Sequence, residues 1–167
     1  FQKDLGLAKN ILAARLRTEP GWTVLEAAQA TDEALAGASL LLFGTPAGNP
    51  VVARLVKDLP RALLPYDREG AYKEGEPFEV AETAVKVGLS TVQAPDGAVL
   101  YNVHNPWTRG QTISVFTAFD AAGAARPARL LFYYGWDGYV VWQKGQVAGR
   151  GDVVAPTGGL AIDFVKR

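Results

Sequence analysis

The 167-residue sequence has no cysteine, no methionine and a single histidine, His104. Without cysteine, disulfides, thiol nucleophiles and thiolate metal sites are excluded, and the redox compartment is left open. A lone histidine cannot assemble a multi-histidine metal centre, so no metal site is expected. An excess of charge of either sign is also missing, because 17 Lys and Arg balance 17 Asp and Glu. The basic surplus of a nucleic-acid-binding or membrane-surface protein is therefore lacking, and no nucleic-acid partner is expected. No apolar run approaches the ~18–20 residues of a membrane span, and no signal peptide is visible, so this segment is expected to carry no span. The absence of methionine, with Phe1 in first place, leads us to expect a segment of a longer chain or a processed form.

Apolar residues make up 49% of the chain and charged residues 20%, which is enough to bury a core and too apolar for disorder. Leu5, Ala8, Ile11, Leu12 and Leu16 fall near helical spacing over residues 3–17, and Pro20-Gly21 ends that helix. Trp22–Leu25 reads as a short strand. Thr31 is placed to cap a short helix whose first turn holds Asp32 and Glu33, where the helix dipole favours negative charge. Ser39–Phe43 is a continuous apolar run of the type buried on both faces. Asn49 and Pro50 spell a helix start, and Val51, Val52, Leu55, Val56 and Leu59 line its inner side up to Pro60.

Beyond Pro60 the pattern changes. Residues 61–82 are mixed and rich in Gly, Glu and Tyr, and predict a hairpin around Tyr66–Phe78. Val85, Val87, Leu89 and Thr91 alternate with polar or small residues as in a half-buried strand. Pro95-Asp96-Gly97 predicts a hairpin turn from that strand into Val99–Val103. Thr112–Phe119 and Tyr139–Trp142 read as strands, Ala121–Arg129 as a short helix limited by Pro127, and Lys144-Gly145 as a tight turn. The fold class expected is α/β: a helix–sheet sandwich with a mixed, mainly parallel sheet in the first half and hairpins in the second. Residues 1–155 are expected to form one domain and 156–167 a tail or linker. The opening helix has no strand before it, so one is expected upstream of Phe1.

Candidate sites follow from three stretches. In Leu41-Leu42-Phe43-Gly44-Thr45-Pro46-Ala47-Gly48-Asn49-Pro50 the turn lies between a strand end and a helix start, where open α/β sheets bind ligands. Gly44, Thr45 and Asn49 are its candidate ligand contacts. The spacing matches neither the phosphate-loop pattern, which needs a following lysine, nor the dinucleotide fingerprint, and an elbow that steers the backbone is the preferred reading. No cofactor is expected. His104 and Asn105 sit in Tyr101-Asn102-Val103-His104-Asn105-Pro106-Trp107. The serines are Ser39, Ser90 and Ser114, and the nearest approach to a nucleophile elbow, Gly88-Leu89-Ser90-Thr91-Val92, lacks its second glycine. His104 is read as a hydrogen-bonded turn residue, and no residue is assigned a catalytic role. Asp67, Glu69, Glu74, Glu76, Glu79 and Glu82 crowd one segment and are read as solvated charge.

The third stretch, Phe132-Tyr133-Tyr134-Gly135-Trp136-Asp137-Gly138-Tyr139, is the densest aromatic cluster, with Trp142 beyond it. Tyr134, Trp136 and Asp137 are its candidate ligand contacts, since such rings suit sugars or a protein partner. Plugging the edge of the core is the preferred alternative. Arg150-Gly151-Asp152 spells an adhesion tripeptide that recurs by chance and carries no weight.

Taken in order, residues 38–50, Asn105-Pro106-Trp107 with Thr112–Phe119, Tyr134–Trp142 and Gly149–Asp152 resemble successive elements of an accessory α/β domain. Such domains are attached to bacterial secreted hydrolases of esterase-like (prolyl-oligopeptidase-like) and metallopeptidase-like type. The resemblance spans roughly residues 31–152 and departs in an insertion at about 61–98 and in Trp107. It implies a non-catalytic companion domain of an exported or cell-envelope protein, with other domains of a parent chain as partners. A small-molecule or carbohydrate-binding module using the Gly44–Asn49 turn or the Tyr133–Trp142 aromatics is the second reading. A small stand-alone hydrolase relying on His104 and an acid is the third.

Overall fold

The computed structural model describes residues 20–59, 64–67 and 78–154. The helix expected over 3–17, the stop at Pro60, most of the 61–82 segment and the 156–167 tail lie outside the described residues. The elements in chain order are α1 (Asp32–Leu35), β1 (Leu40–Phe43), α2 (Pro50–Asp58), β2 (Leu64–Asp67), β3 (Phe78–Val80), β4 (Ala84–Val87) and β5 (Ser90–Gln93). Then come β6 (Gly97–His104), β7 (Thr112–Ala118), α3 (Ala121–Ala125), α4 (Pro127–Leu130), a 3-10 turn at Leu131–Tyr134, β8 (Tyr139–Gln143) and β9 (Gln146–Val154).

Local signals act as expected where the chemistry is local. The Thr31 hydroxyl accepts the Ala34 N–H at 3.3 Å and starts α1. Pro127 breaks the alanine-rich stretch into α3 and α4, because its ring cannot continue the hydrogen-bonded spiral. Lys144-Gly145 joins β8 to β9 with both residues at positive φ (51° and 70°), the turn whose twist suits adjacent strands. Trp22–Leu25, in contrast, is not a strand; the segment is exposed, and the Trp22 ring packs edge-on against Phe132 at 6.2 Å.

Among the described residues six strands form one sheet in the order β1-β7-β6-β8-β9-β2, and β3-β4-β5 form a second, antiparallel sheet. The fold is mixed α/β with more sheet than helix. Among the described residues only the β1–β7 pairing is parallel, so the large sheet is not mainly parallel. The reason is connectivity. β1 reaches its partner β7 only after α2, β2, the small sheet and β6, whereas β6–β7 and β8–β9 are antiparallel neighbours in sequence and in space. β1 also lies at the end of the sheet, with Leu42 its one buried member, although its apolar run reads as a strand buried on both faces.

Two pairings differ from the sequence reading. Tyr66 and Phe78 belong to different sheets, since β2 pairs with β9 and β3 with β4. β4 and β5 form a hairpin of their own about Gly88-Leu89, which leaves Leu89 exposed at the tip. Pro95-Asp96-Gly97 instead carries the chain from the small sheet to the large one. A Cβ on Gly97 would lie 2.2 Å from the Gln93 carbonyl oxygen, so this passage requires glycine.

Strand alternation gives the large sheet two working faces. On the first, Val99, Tyr101, Ile113, Val115, Tyr139 and Val141 pack with Val51, Val52 and Leu55 of α2 and with Phe78, Val85, Val87 and Val92 of the small sheet. On the second, Ala98, Leu100, Phe116, Val140 and Trp142 pack with Ala124, Ala128 and Leu131. β6 therefore contributes to both cores along its length. Tyr101, fully buried, meets Phe78 edge-on at 5.3 Å, and its hydroxyl has no hydrogen-bond partner among the described residues.

That hydroxyl makes a specific prediction. Burial pushes its ionisation well above the ordinary tyrosine value, so the folded state favours the neutral form. Stability is intact below the unfolded value near pH 10 and falls as pH rises beyond it. Tyr101→Phe removes an unsatisfied buried donor and is expected to raise stability by about 1 kcal/mol and to flatten the alkaline decline. Urea melts from pH 7 to 11 check both effects.

Candidate functional site

The turn after β1 is closed by its own side chains. Asn49 Oδ1 accepts the N–H groups of Val51 and Val52 at 2.9 and 3.3 Å, and its Nδ2 donates to the Phe43 carbonyl at 2.9 Å. One amide thus joins the end of β1 to the start of α2. The Thr117 hydroxyl donates to the Gly44 carbonyl at 2.9 Å, and Thr45 and Asn49 are both buried. The first-turn donors that would attract an anion are taken up by Asn49.

At the opposite end of the sheet, Asn105 acts in the same manner. Its Oδ1 accepts the N–H groups of Trp107 and Thr108 at 2.9 and 3.1 Å, and its Nδ2 donates to the Ala38 carbonyl at 3.4 Å. The Trp107 indole donates to Asp58 at 2.5 Å, while Arg54 lies over its ring at 4.5 Å and pairs with Asp32. The 105–111 loop is strapped to α2 by these contacts. His104, one residue earlier, is exposed and stands opposite Thr112 on β7. Among the described residues no cluster of three or more His, Asp or Glu could hold a metal ion, and no helix is long and apolar enough to cross a membrane.

The aromatic stretch divides by exposure. Leu131, Asp137, Tyr139 and Trp142 are buried, and the half-buried Tyr134 meets Trp142 edge-on at 5.6 Å. Trp136 is 91% exposed and Tyr133 75%. The backbone between them is held firmly: the Asp137 N–H donates to the Tyr134 carbonyl at 3.1 Å, and the Asn102 N–H to the Gly138 carbonyl at 2.7 Å. The Asn102 side-chain amide also donates to the Asp137 carbonyl. A Cβ on Gly138 would lie 2.5 Å from the Asp152 Cα, so the turn is pressed against β9. Arg150-Gly151-Asp152 runs inside β9 with Gly151 buried, and Asp152 accepts the Gly138 N–H at 3.3 Å.

The fold therefore sorts the candidate residues. Asn102, near the end of β6, holds the Asp137–Gly138 backbone at the entry to β8, while His104 and Asn105 follow it at the same end of the sheet. Gly44, Thr45 and Asn49 lie at the other end of the sheet, beside the last residues of β7. Asn102 and Ser114, directly opposite each other on β6 and β7, were not among the sequence candidates. Both are half-buried on the second face, and among the described residues Asn102 Oδ1 is buried without a hydrogen-bond partner. Their sequence signal is the polar set 102, 104, 112 and 114, which falls on one face by alternation.

No protein-family model matches the chain, and neither a curated protein nor a solved structure matches it.

The double role of Asn49 is testable. Asn49→Ala loses the helix cap and is expected to cost about 1–2 kcal/mol. Asn49→Asp keeps an acceptor for Val51 and Val52 but loses the donor to Phe43, so its loss should be smaller. Denaturant titration of the two variants against the parent protein separates the contributions.

Proposed function

We propose that this chain is a non-catalytic recognition domain that offers the Tyr133–Trp136 turn to a partner. The observation that carries the reading is the contrast within one short segment. Trp136 and Tyr133 are 91% and 75% exposed, while Leu131 and Asp137 beside them are buried. Large aromatic side chains held out on a fixed backbone give contact area at little entropic cost. The amides nominated elsewhere are spent on backbone: Asn49 on the β1–α2 elbow and Asn105 on the loop tied to α2. Together with the resemblance of residues 31–152 to hydrolase-associated accessory domains, this supports a companion domain of a larger bacterial hydrolase-like or cell-envelope protein. Other domains of that protein, or a ligand they share, are the partners it would meet.

The test is oxidative footprinting of the purified chain against the same chain in an extract of the cells that make it. Trp136 and Tyr133 should be protected in the extract, while Leu89, 88% exposed on the β4–β5 tip, should not. Equal labelling of Trp136 in both conditions would overturn the recognition reading. Hydrolysis of ester or peptide substrates that is lost in His104→Ala would overturn its non-catalytic part.

A further inference from the structure

We propose that β1 joins a second copy of this chain, antiparallel and edge to edge, about a two-fold axis that passes beside Leu41. The inference is independent of the recognition reading, because β7 and β6 separate β1 from β8 and the turn before it. It starts from a mismatch between composition and position. Leu40-Leu41-Leu42-Phe43 is composed like a strand covered on both faces and both edges, yet it lies at the end of the sheet, and only Leu42 in it is buried. Two other sheet ends are guarded. β2, at the far end, carries Pro65, which has no N–H to offer, and Asp67, while β3, at one end of the small sheet, carries Glu79. β1 has neither proline nor charge, and no charged residue lies between Glu33 and Arg54.

The backbone defines what this edge offers. The Gly44 N–H donates to the Phe116 carbonyl on β7 at 3.0 Å, and Leu42 and Leu40 share that orientation by alternation. Leu41 and Phe43 therefore turn their N–H and C=O groups away from β7. The Ser39 carbonyl, anti to the Leu40 N–H across one planar peptide, points the same way. Among the described residues only one of these outward groups has a partner: the Phe43 carbonyl accepts from the Asn49 side-chain amide at 2.9 Å. What remains is a row made of the Ser39 acceptor, the Leu41 donor and acceptor, and the Phe43 donor.

That row is complementary to itself. With two copies antiparallel about Leu41, each Leu41 exchanges N–H and C=O with Leu41 of the second copy, and each Phe43 N–H meets a Ser39 carbonyl. The carbonyl already held by Asn49 falls at the end of the ladder, where it interrupts nothing. Side chains match in the same register, with Leu41 facing Leu41 and Leu40 facing Leu42 of the second copy. Leu41 is packed into neither core of the single chain, so the pairing covers a side chain that the fold leaves half-buried. Electrostatics does not oppose the contact, because 17 basic residues balance 17 acidic ones and the edge itself is uncharged. A foreign strand would bond to the same groups, but the apolar match on both faces and the balance of charge are properties this chain supplies for itself.

The test is sedimentation equilibrium of the full chain, with variants at the axis. A reversible dimer with a dissociation constant on the order of micromolar is expected, since one strand pair makes a small interface. Leu41→Lys sets like charges opposite each other and should weaken association about tenfold or more, as should Leu41→Glu, each keeping the far-ultraviolet circular dichroism of the parent chain. An equimolar mixture of the two should associate again, because opposite charges then meet at the axis. If either variant fails to fold, Leu41→Cys supplies the second reading in a chain with no other thiol. Its Cα atoms would lie about 5.5 Å apart across the axis, within disulfide reach, so mild oxidation should give covalent dimers. Leu89→Cys, on the exposed β4–β5 tip, should not. A chain that stays monomeric, a dimer that survives Leu41→Lys, a mixture that fails to associate, or equal cross-linking of the two thiols would each overturn the proposal.

Discussion

Strand β6 is the constraint on which everything else depends. Each of its residues from Ala98 to Tyr101 is buried, and successive side chains enter opposite cores. A shift of register by one residue would move Val99 and Tyr101 to the helical side and Ala98 and Leu100 to the side of the small sheet. Neither layer could accept the exchange, because Ala98 and Leu100 are sized to the short helices and Tyr101 to the Phe78 ring. The two-sided demand relaxes only at Asn102, beyond which the strand turns polar on one face. The candidate site begins at the residue where packing ceases to dictate chemistry.

Short-range structure was legible in the sequence. The Asn49-Pro50 start of α2, the Thr31 cap, the Pro127 break and the Lys144-Gly145 turn all depend on side chains acting within a few residues. Pairing was less legible. Alternation shows which residues share a face but not which strand lies alongside, so β5 was joined to β6 in the sequence reading although they belong to different sheets. The apolar run of β1 similarly reads as a strand buried on both faces, whereas it lies at one end of the sheet and only Leu42 in it is buried.

The candidate site divides in the same way. Exposure of Trp136 and burial of Trp142 cannot be read from composition, because both rings lie in one aromatic stretch, the first in the turn after the 3-10 segment and the second in β8. Asn102 and Ser114 were overlooked for a related reason. Each is an ordinary polar residue in a strand, and their meaning arises from a cross-strand pairing between two separate segments. His104 drew attention as the sole histidine, yet its position beside Thr112 places it in the same polar row.

The parallel pairing of β1 with β7 sets an order of events for the growing chain. Leu40 must find Ile113, more than 70 residues later, whereas β6 and β7, or β8 and β9, can zip together from their own turns. Contacts so distant form slowly because a long loop has to be closed first. During synthesis the Leu40–Phe43 segment and the apolar side of α2 emerge well before the strand that shelters them, so the N-terminal third has its most aggregation-prone interval while β6 and β7 are still inside the ribosome.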